Sequence, residues 1–213
     1  MAKFCGIDPG FTGGICIMDG DDIYLYKMPI IKTSKKVKGK SKNKQTYDLL
    51  KIREIMSKHL DEKSIVLLER VSSRPGEGST SSFNFGRGYG NLEGLVAGLF
   101  DFNVILVSPV TWKKIYPELT NSSMDDKKSV IKDLKKKSKT LKDKSLKNQN
   151  STEIDKLNRS IKSEAKQAAR DLVKNLYPEF KDMLKYKNSD GVAESVLIAK
   201  YGRENRNELV QDC

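Results

Sequence analysis

The chain of 213 residues holds three cysteines, one histidine and one tryptophan. Cys5 and Cys16 alternate with apolar neighbours and Cys213 is terminal, which is neither a zinc-ligand spacing nor a disulfide framework. That scarcity excludes a cysteine-built site and favours a reducing compartment. Apolar residues make up only 37% of the chain, enough for one core and low for a globular protein, so one domain with solvated additions is expected. No apolar run approaches the length of a membrane span, and the N-terminus lacks a charged segment leading into a long apolar one. A soluble, intracellular chain with no membrane partner follows as an expectation. His59, on the exposed side of a predicted helix end, is assigned no role, and no reactive thiol is expected at Cys5 among its apolar neighbours.

Charge of one sign is abundant. The net charge is +12, and it is localised: residues 31–45 hold 7 lysines and no acid, and residues 121–165 hold 13 basic against 7 acidic side chains. The remainder is close to neutral. Each run alone reads equally well as a solvated face or loop; two of them around a neutral core favour a polyanion, usually nucleic acid. Most are lysines, which suit phosphate contact independent of base sequence.

Residues 3–8, 13–18 and 22–29 are short apolar runs separated by the turns PGFTG and DGDD, and predict a three-stranded antiparallel meander. After a lysine-rich loop, Thr46 is placed to cap a helix carrying Leu49, Leu50, Ile52, Ile55, Met56 and Leu60 at helical spacing. SIVLLERV over 64–71 reads as a strand buried on both faces. A Gly- and Ser-rich loop, the helix NLEGLVAGLF, the strand NVILVSP, the short TWKKIY segment and the amphipathic helix DGVAESVLIAKYG complete the order. Between 121 and 176 the apolar spacing suggests a helical hairpin, capped at Ser123 and Ser151 and broken at Asn148–Ser151, with a disordered basic loop as the other reading of 121–150. The order βββαβαβα is that of the RNase H-like fold: an α/β protein with a mixed five-stranded sheet flanked by helices and a basic helical-hairpin insertion. Residues 1–120 form the first part of this core, 121–165 the insertion, and 166–213 the C-terminal helices of the core.

Two strands predicted to run parallel end in carboxylates, Asp8 and Glu69. Asp190 and Glu194, four apart, share one face of the last helix. Asp190 alone reads as compensation of the helix dipole, with Ser189 or Asn188 as cap. Four carboxylates meeting at one sheet edge need a cation, and an oxygen-only set suits Mg²⁺ or Mn²⁺. Such sites bind two ions and support attack of water on a phosphodiester.

With GIDPG, LLER, SPVTWKK and SDGVAESVLIA in view, the chain resembles the RuvC-type Holliday junction resolvases, and more closely their relatives in chloroplasts and bacteriophages. The resemblance spans the chain except for about 35–45 and 121–165. It implies a metal-dependent endonuclease, cytoplasmic or in a host cytoplasm if phage-encoded. Such an enzyme would resolve four-way DNA junctions by paired symmetrical nicks, acting as a homodimer without a small-molecule cofactor. By position it implies Asp8, Glu69, Asp190 and Glu194 as catalytic metal ligands. RuvC proper spaces its last two ligands three apart and ends in Asp, whereas here they are four apart and end in Glu, with Glu194 the nearer match because it precedes the VLIA packing run.

The segment 82–90, SFNFGRGYG, is read as a loop in which Phe83, Phe85 and Tyr89 stack on or wedge between bases and Arg74 and Arg87 flank them; aromatics tucked into the core are the other reading. Gly90, Gly94, Ala97 and Gly98 give the following helix a small-residue face for packing on the sheet or across a dimer. Trp112 reads as core, with Lys113 and Lys114 touching phosphate, as would Lys35 and Lys36. Three other functions stay open: a different RNase H-like nuclease acting on RNA–DNA hybrid or on branched or flap DNA, a non-catalytic DNA-binding protein of this fold, and an actin-like ATPase. The last lacks a second nucleotide-gripping glycine motif and a sufficiently long chain.

Overall fold

The computed structural model describes residues 2–37, 40–72, 76, 78–99 and 103–209, with the side chains of 35–37, 40–42 and 103 excepted. Strands β1 (Phe4–Asp8), β2 (Gly14–Asp19) and β3 (Asp22–Lys27) form the expected antiparallel meander. Then come β4 (Ile30–Val37), β5 (Lys40–Tyr47), helix α1 (Leu49–His59), β6 (Ile65–Glu69), α2 (Ser79–Gly98) and β7 (Asn103–Val107). The second half is helical: α3 (Pro109–Lys113), α4 (Ser122–Thr140), α5 (Lys144–Leu176), α6 (Asp190–Glu204) and α7 (Arg206–Leu209). The main sheet is mixed and five-stranded, in the order β3-β2-β1-β6-β7, with β6 parallel to both β1 and β7. Among the described residues no helix is long and apolar enough to cross a membrane.

Strand alternation divides the core between the two sheet faces. Phe4, Cys16, Met18, Ile65 and Leu67 pack with Trp112, Val173 and the apolar residues of α6. Cys5, Ile7, Ile15, Ile17, Val66 and Leu68 pack with Ile52 and Met56 of α1, Leu92 and Val96 of α2, and Tyr47. Helix α6 lies directly on β1 and β2: a Cβ at Gly6 would run into the Ala199 nitrogen and the Ser195 carbonyl, and one at Gly14 would crowd Val192. Only a residue without a side chain allows that approach. Cys5 and Cys16 are buried free thiols, and burial pushes their ionisation up, in keeping with the inert reading of Cys5.

The structure corrects several expectations. The lysine-rich stretch is a β-hairpin, β4 paired antiparallel with β5 from Ile30↔Tyr47 to Val37↔Lys40. Among its described side chains only those at the base are buried; there Tyr47 enters the core and its hydroxyl donates to the Pro9 carbonyl. The N-cap of α1 is Asp48, whose carboxylate accepts from the Lys51 N–H, and Thr46 belongs to β5. Residues 82–90 are not a loop but the interior of α2. Each glycine there costs about 1 kcal/mol of helix propensity relative to alanine, yet fully buried Leu92 and Val96 anchor the helix to the sheet. Helices α4 and α5 do form a hairpin, but their N-caps are Asn121 and Asp143, and Asn148–Ser151 lies inside the 33-residue α5. His59 is half-buried: its Nε2 lies 2.7 Å from the Tyr26 hydroxyl and its ring packs on Tyr24.

Candidate metal and phosphodiester site

Parallel pairing of β1 with β6, in the register Ile7↔Leu68, makes Asp8 and Glu69 leave the sheet side by side. The turn after β1 fixes Asp8. Its Oδ1 accepts from the Gly10 N–H at 2.9 Å, and its Oδ2 lies against Gly191 in the first turn of α6, where a Cβ would collide with it. The carboxylate at the tip of this strand therefore both closes its own turn and faces the opening of a helix. Asp190 and Glu194 come from that helix, so Asp8 feels the charge of three other acids drawn from β6 and α6. Ser189 holds the N-cap position of α6 without a side-chain capping bond.

Their environments differ in a consistent way. Glu194 is ion-paired with Lys113 Nζ at 2.7 Å, and Asp190 with Lys166 Nζ at 2.5 Å. Asp8 and Glu69 have no ion-pair partner among the described residues. Burial pushes Asp8 up to about 7, aided by the negative charges of Glu194, Glu69 and Asp190 and opposed by the Gly10 N–H. Burial also raises Glu69, as does the charge of Glu194, against the pull of Lys113 and of the Trp112 indole N–H, which donates to Glu69 Oε1 at 3.0 Å. Two carboxylates are thus balanced by ammonium groups and two are left over. Among the described residues no group of three or more His, Cys, Asp or Glu is placed to hold one metal ion. The donor set is nonetheless all oxygen, and the charge left on Asp8 and Glu69 is what a divalent cation would neutralise.

Around these acids the candidate DNA-binding residues spread unevenly. Phe85 lines a cavity of about 540 Å³ with Glu69, Arg70, Val71, Ser72, Pro109 and Val110. Phe83 is 68% exposed and Arg87 is also exposed, on neighbouring turns of α2. Tyr89 instead packs on the core beside Tyr47, its hydroxyl buried without a hydrogen-bond partner among the described residues. Lys114 is exposed, whereas Lys113 is engaged by Glu194. Arg74 lies outside the described residues, as do the side chains of Lys35 and Lys36, whose backbones belong to β4.

Trp112 is wholly buried, as core residues are, but its indole N–H also orients Glu69, a role that its lone occurrence in the sequence does not disclose. Lys166 and Gly191 are two further residues that pattern reading missed. Lys166 reaches the site from 24 positions upstream of Asp190, across α5, and no motif announces it. The signal for Gly191 was the Asp-Gly pair at the start of an otherwise good helix. No protein-family model matches the chain, and no curated protein matches it either.

Proposed function

We propose that the chain is a metal-dependent, structure-specific endonuclease of the RNase H-like fold that resolves four-way DNA junctions by paired nicks, with Asp8, Glu69, Asp190 and Glu194 holding Mg²⁺ or Mn²⁺. The observation that carries this reading is the grouping of the four carboxylates at the ends of β1 and β6 and the start of α6, with the unpaired Asp8 pushed up to about 7. When bound, the ions supply charge neutralisation and Lewis acidity at the phosphoryl oxygen and at the attacking water. The chain's own residues do the positioning. The Gly10 N–H and Gly191 fix Asp8, Trp112 fixes Glu69, and Lys113 and Lys166 hold the two helix-borne acids and are free to turn to phosphate once a cation takes their place. Phe85 beside Glu69 offers a surface for an unstacked base at a branch point.

Two copies, one per strand to be cut, would meet through α2. Gly86, Gly90, Gly94 and Gly98 form a stripe on this helix, and a Cβ at any of them would meet nothing within 4 Å. Gly94→Leu should therefore leave the fold intact and give a monomer by light scattering; a monomeric wild type, with and without junction DNA, ends the dimer reading.

A second reading has its own support: the lysine pairing of Glu194 and Asp190 suits a DNA-binding protein of the same fold without catalysis. The deciding experiment incubates wild type and Asp8→Asn with a synthetic four-way junction, a linear duplex and an RNA–DNA hybrid, in Mg²⁺ and in EDTA. Paired symmetrical nicks confined to the junction, lost in EDTA and in the variant while binding persists, support the resolvase. Cleavage of the hybrid keeps the metal site and changes the substrate. Binding without cleavage in any condition selects the silent protein.

A further inference from the structure

Helix α5 carries a second feature outside the acid site. Arg159, Lys162, Ser163, Lys166, Gln167 and Arg170 line one side of a groove of about 320 Å³, and Lys187 and Asp190 line the other. The basic positions recur at i, i+3, i+7 and i+11, so they form one stripe along the helix. Arg159, Lys162 and Lys187 are exposed and, among the described residues, in no ion pair. The sole acid on α5 between Arg159 and Arg170 is Glu164, and it is engaged by Lys127 of α4. Arg170 is 5% exposed, and its guanidinium donates to the Lys187 carbonyl at 2.9 Å and to Gln167. No carboxylate pairs with it among the described residues. Asp171 lies near this guanidinium, joined to it through Gln167, so the uncompensated charges of the groove are the exposed Arg159, Lys162 and Lys187, and these make it a site for an anion.

The groove also has a direction. It starts at Arg159 on the arm and ends at Lys166 and Asp190, inside the candidate metal site. From Arg159 to Lys166 the helix advances about 10 Å at 1.5 Å per residue. One strand of a duplex carries a phosphate about every 3.4 Å of axis, so laid along that axis this span takes in about three intervals, or about four consecutive phosphates. An isolated phosphate would need only one end of it.

We propose that this groove binds the sugar-phosphate backbone of one DNA strand and leads it from the helical arm into the carboxylate site. Its place in a reaction rests on the nuclease reading, but its occupancy can be measured without cleavage. Arg159 and Lys162 make two of the phosphate contacts; Arg170, held by the Lys187 carbonyl and Gln167, forms the floor.

The test is binding of a fluorescently labelled four-way junction in EDTA as a function of salt, for wild type, Arg159→Ala/Lys162→Ala, and the charge-matched control Arg53→Ala/Lys58→Ala on the exposed side of α1. Losing two contacts should flatten the slope of log K against log salt by roughly 1.4 to 1.8. Between about 50 and 200 mM salt the wild type would then lose roughly seven- to twelvefold more affinity than the groove variant. The control should keep the wild-type slope. Equal slopes in all three proteins, or equal flattening in both variants, overturn the groove. A polyglutamate of matching charge that competes as well as DNA overturns its assignment to a nucleic-acid backbone. A groove variant with a flattened slope, alongside a wild type that cuts nothing in Mg²⁺, leaves the groove standing and removes the nuclease reading. A wild type that cuts the junction, with a groove variant that binds at the wild-type slope, does the reverse.

Discussion

Replacing Asp8 by Asn should make the metal-free protein more stable above neutral pH, although it removes a candidate ligand. The Asp8 carboxyl is raised from 3.8 to about 7 in the folded protein. Between those values the folded chain keeps a proton that the unfolded chain has released, so stability is full below the unfolded value and falls as pH rises towards 7. Above that, the ionised carboxylate costs the fold at most about 4 kcal/mol, three pKa units at 1.36 kcal/mol each. Asn keeps an oxygen for the Gly10 N–H and sheds the charge. For a chain of this size 1 kcal/mol moves Tm by roughly 2–4 °C, so a gain of up to roughly 8–16 °C over wild type is expected at about pH 8, and little at about pH 4. Thermal unfolding followed by circular dichroism in EDTA reads this directly. Glu69, raised in the same direction, adds to the wild-type decline with pH. Adding Mg²⁺ at about pH 8 should stabilise wild type by about 2.7 kcal/mol at a hundredfold excess over Kd, raising its Tm, and leave Asp8→Asn unmoved. A variant less stable than wild type at high pH in EDTA, or a stability difference that ignores pH, would refute the reasoning that the site holds excess negative charge.

Trp112→Phe keeps the buried ring and removes the indole N–H, leaving Glu69 without its donor; a loss of about 1.5–3 kcal/mol is expected in urea unfolding at neutral pH, shrinking as Glu69 takes up a proton in acid. If the loss is the same at both pH values, Trp112 is core alone and does not orient the carboxylate. Gly191→Ala drives a methyl into Asp8 Oδ2 and the Gly13 backbone, costing about 1–3 kcal/mol by overpacking and weakening Mg²⁺ binding in calorimetry. Wild-type Mg²⁺ affinity in that variant would show that Asp8 is not held by the opening of α6.

What the sequence made legible follows from where its apolar residues lie. Strands β1, β2 and β6 are buried almost throughout, and α6 presents Val196, Leu197 and Ile198 in a row, so each shows through composition alone; β7 shows by its apolar run although Leu106 is exposed. The hairpin β4–β5 does not, because its ladder is satisfied by backbone pairing and, among its described side chains, only Ile30 and Tyr47 at its base touch the core. Helix α2 is hidden by its glycines, whose cost is met by packing at Leu92 and Val96, two residues that local propensity cannot weigh. In the site, Asp8 and Glu69 stand out because acids are unusual at the ends of apolar strands. Lys113 and Lys166 do not, since long flexible cations can reach an acid from many positions and only the packing of α3 and α5 beside α6 decides which ones do.

That difference carries mechanistic weight. The acids sit on β1, β6 and α6, elements locked together where the backbones of Gly6 and Gly14 meet α6, so their relative positions have little room to change. The cations that balance two of them ride on long side chains from α3 and α5, one partly and one mostly exposed, and can leave without disturbing the core. A site whose negative groups are fixed and whose positive groups are exchangeable stays neutral enough to fold, and Lys113 and Lys166 would be freed towards phosphate if a divalent ion bound the acids. Had the lysines been rigid and the carboxylates mobile, the same charges would make a closed ion-pair network with no vacancy to fill. Under the proposed reading, it is the departure of the movable lysines that would leave the carboxylates available to a cation.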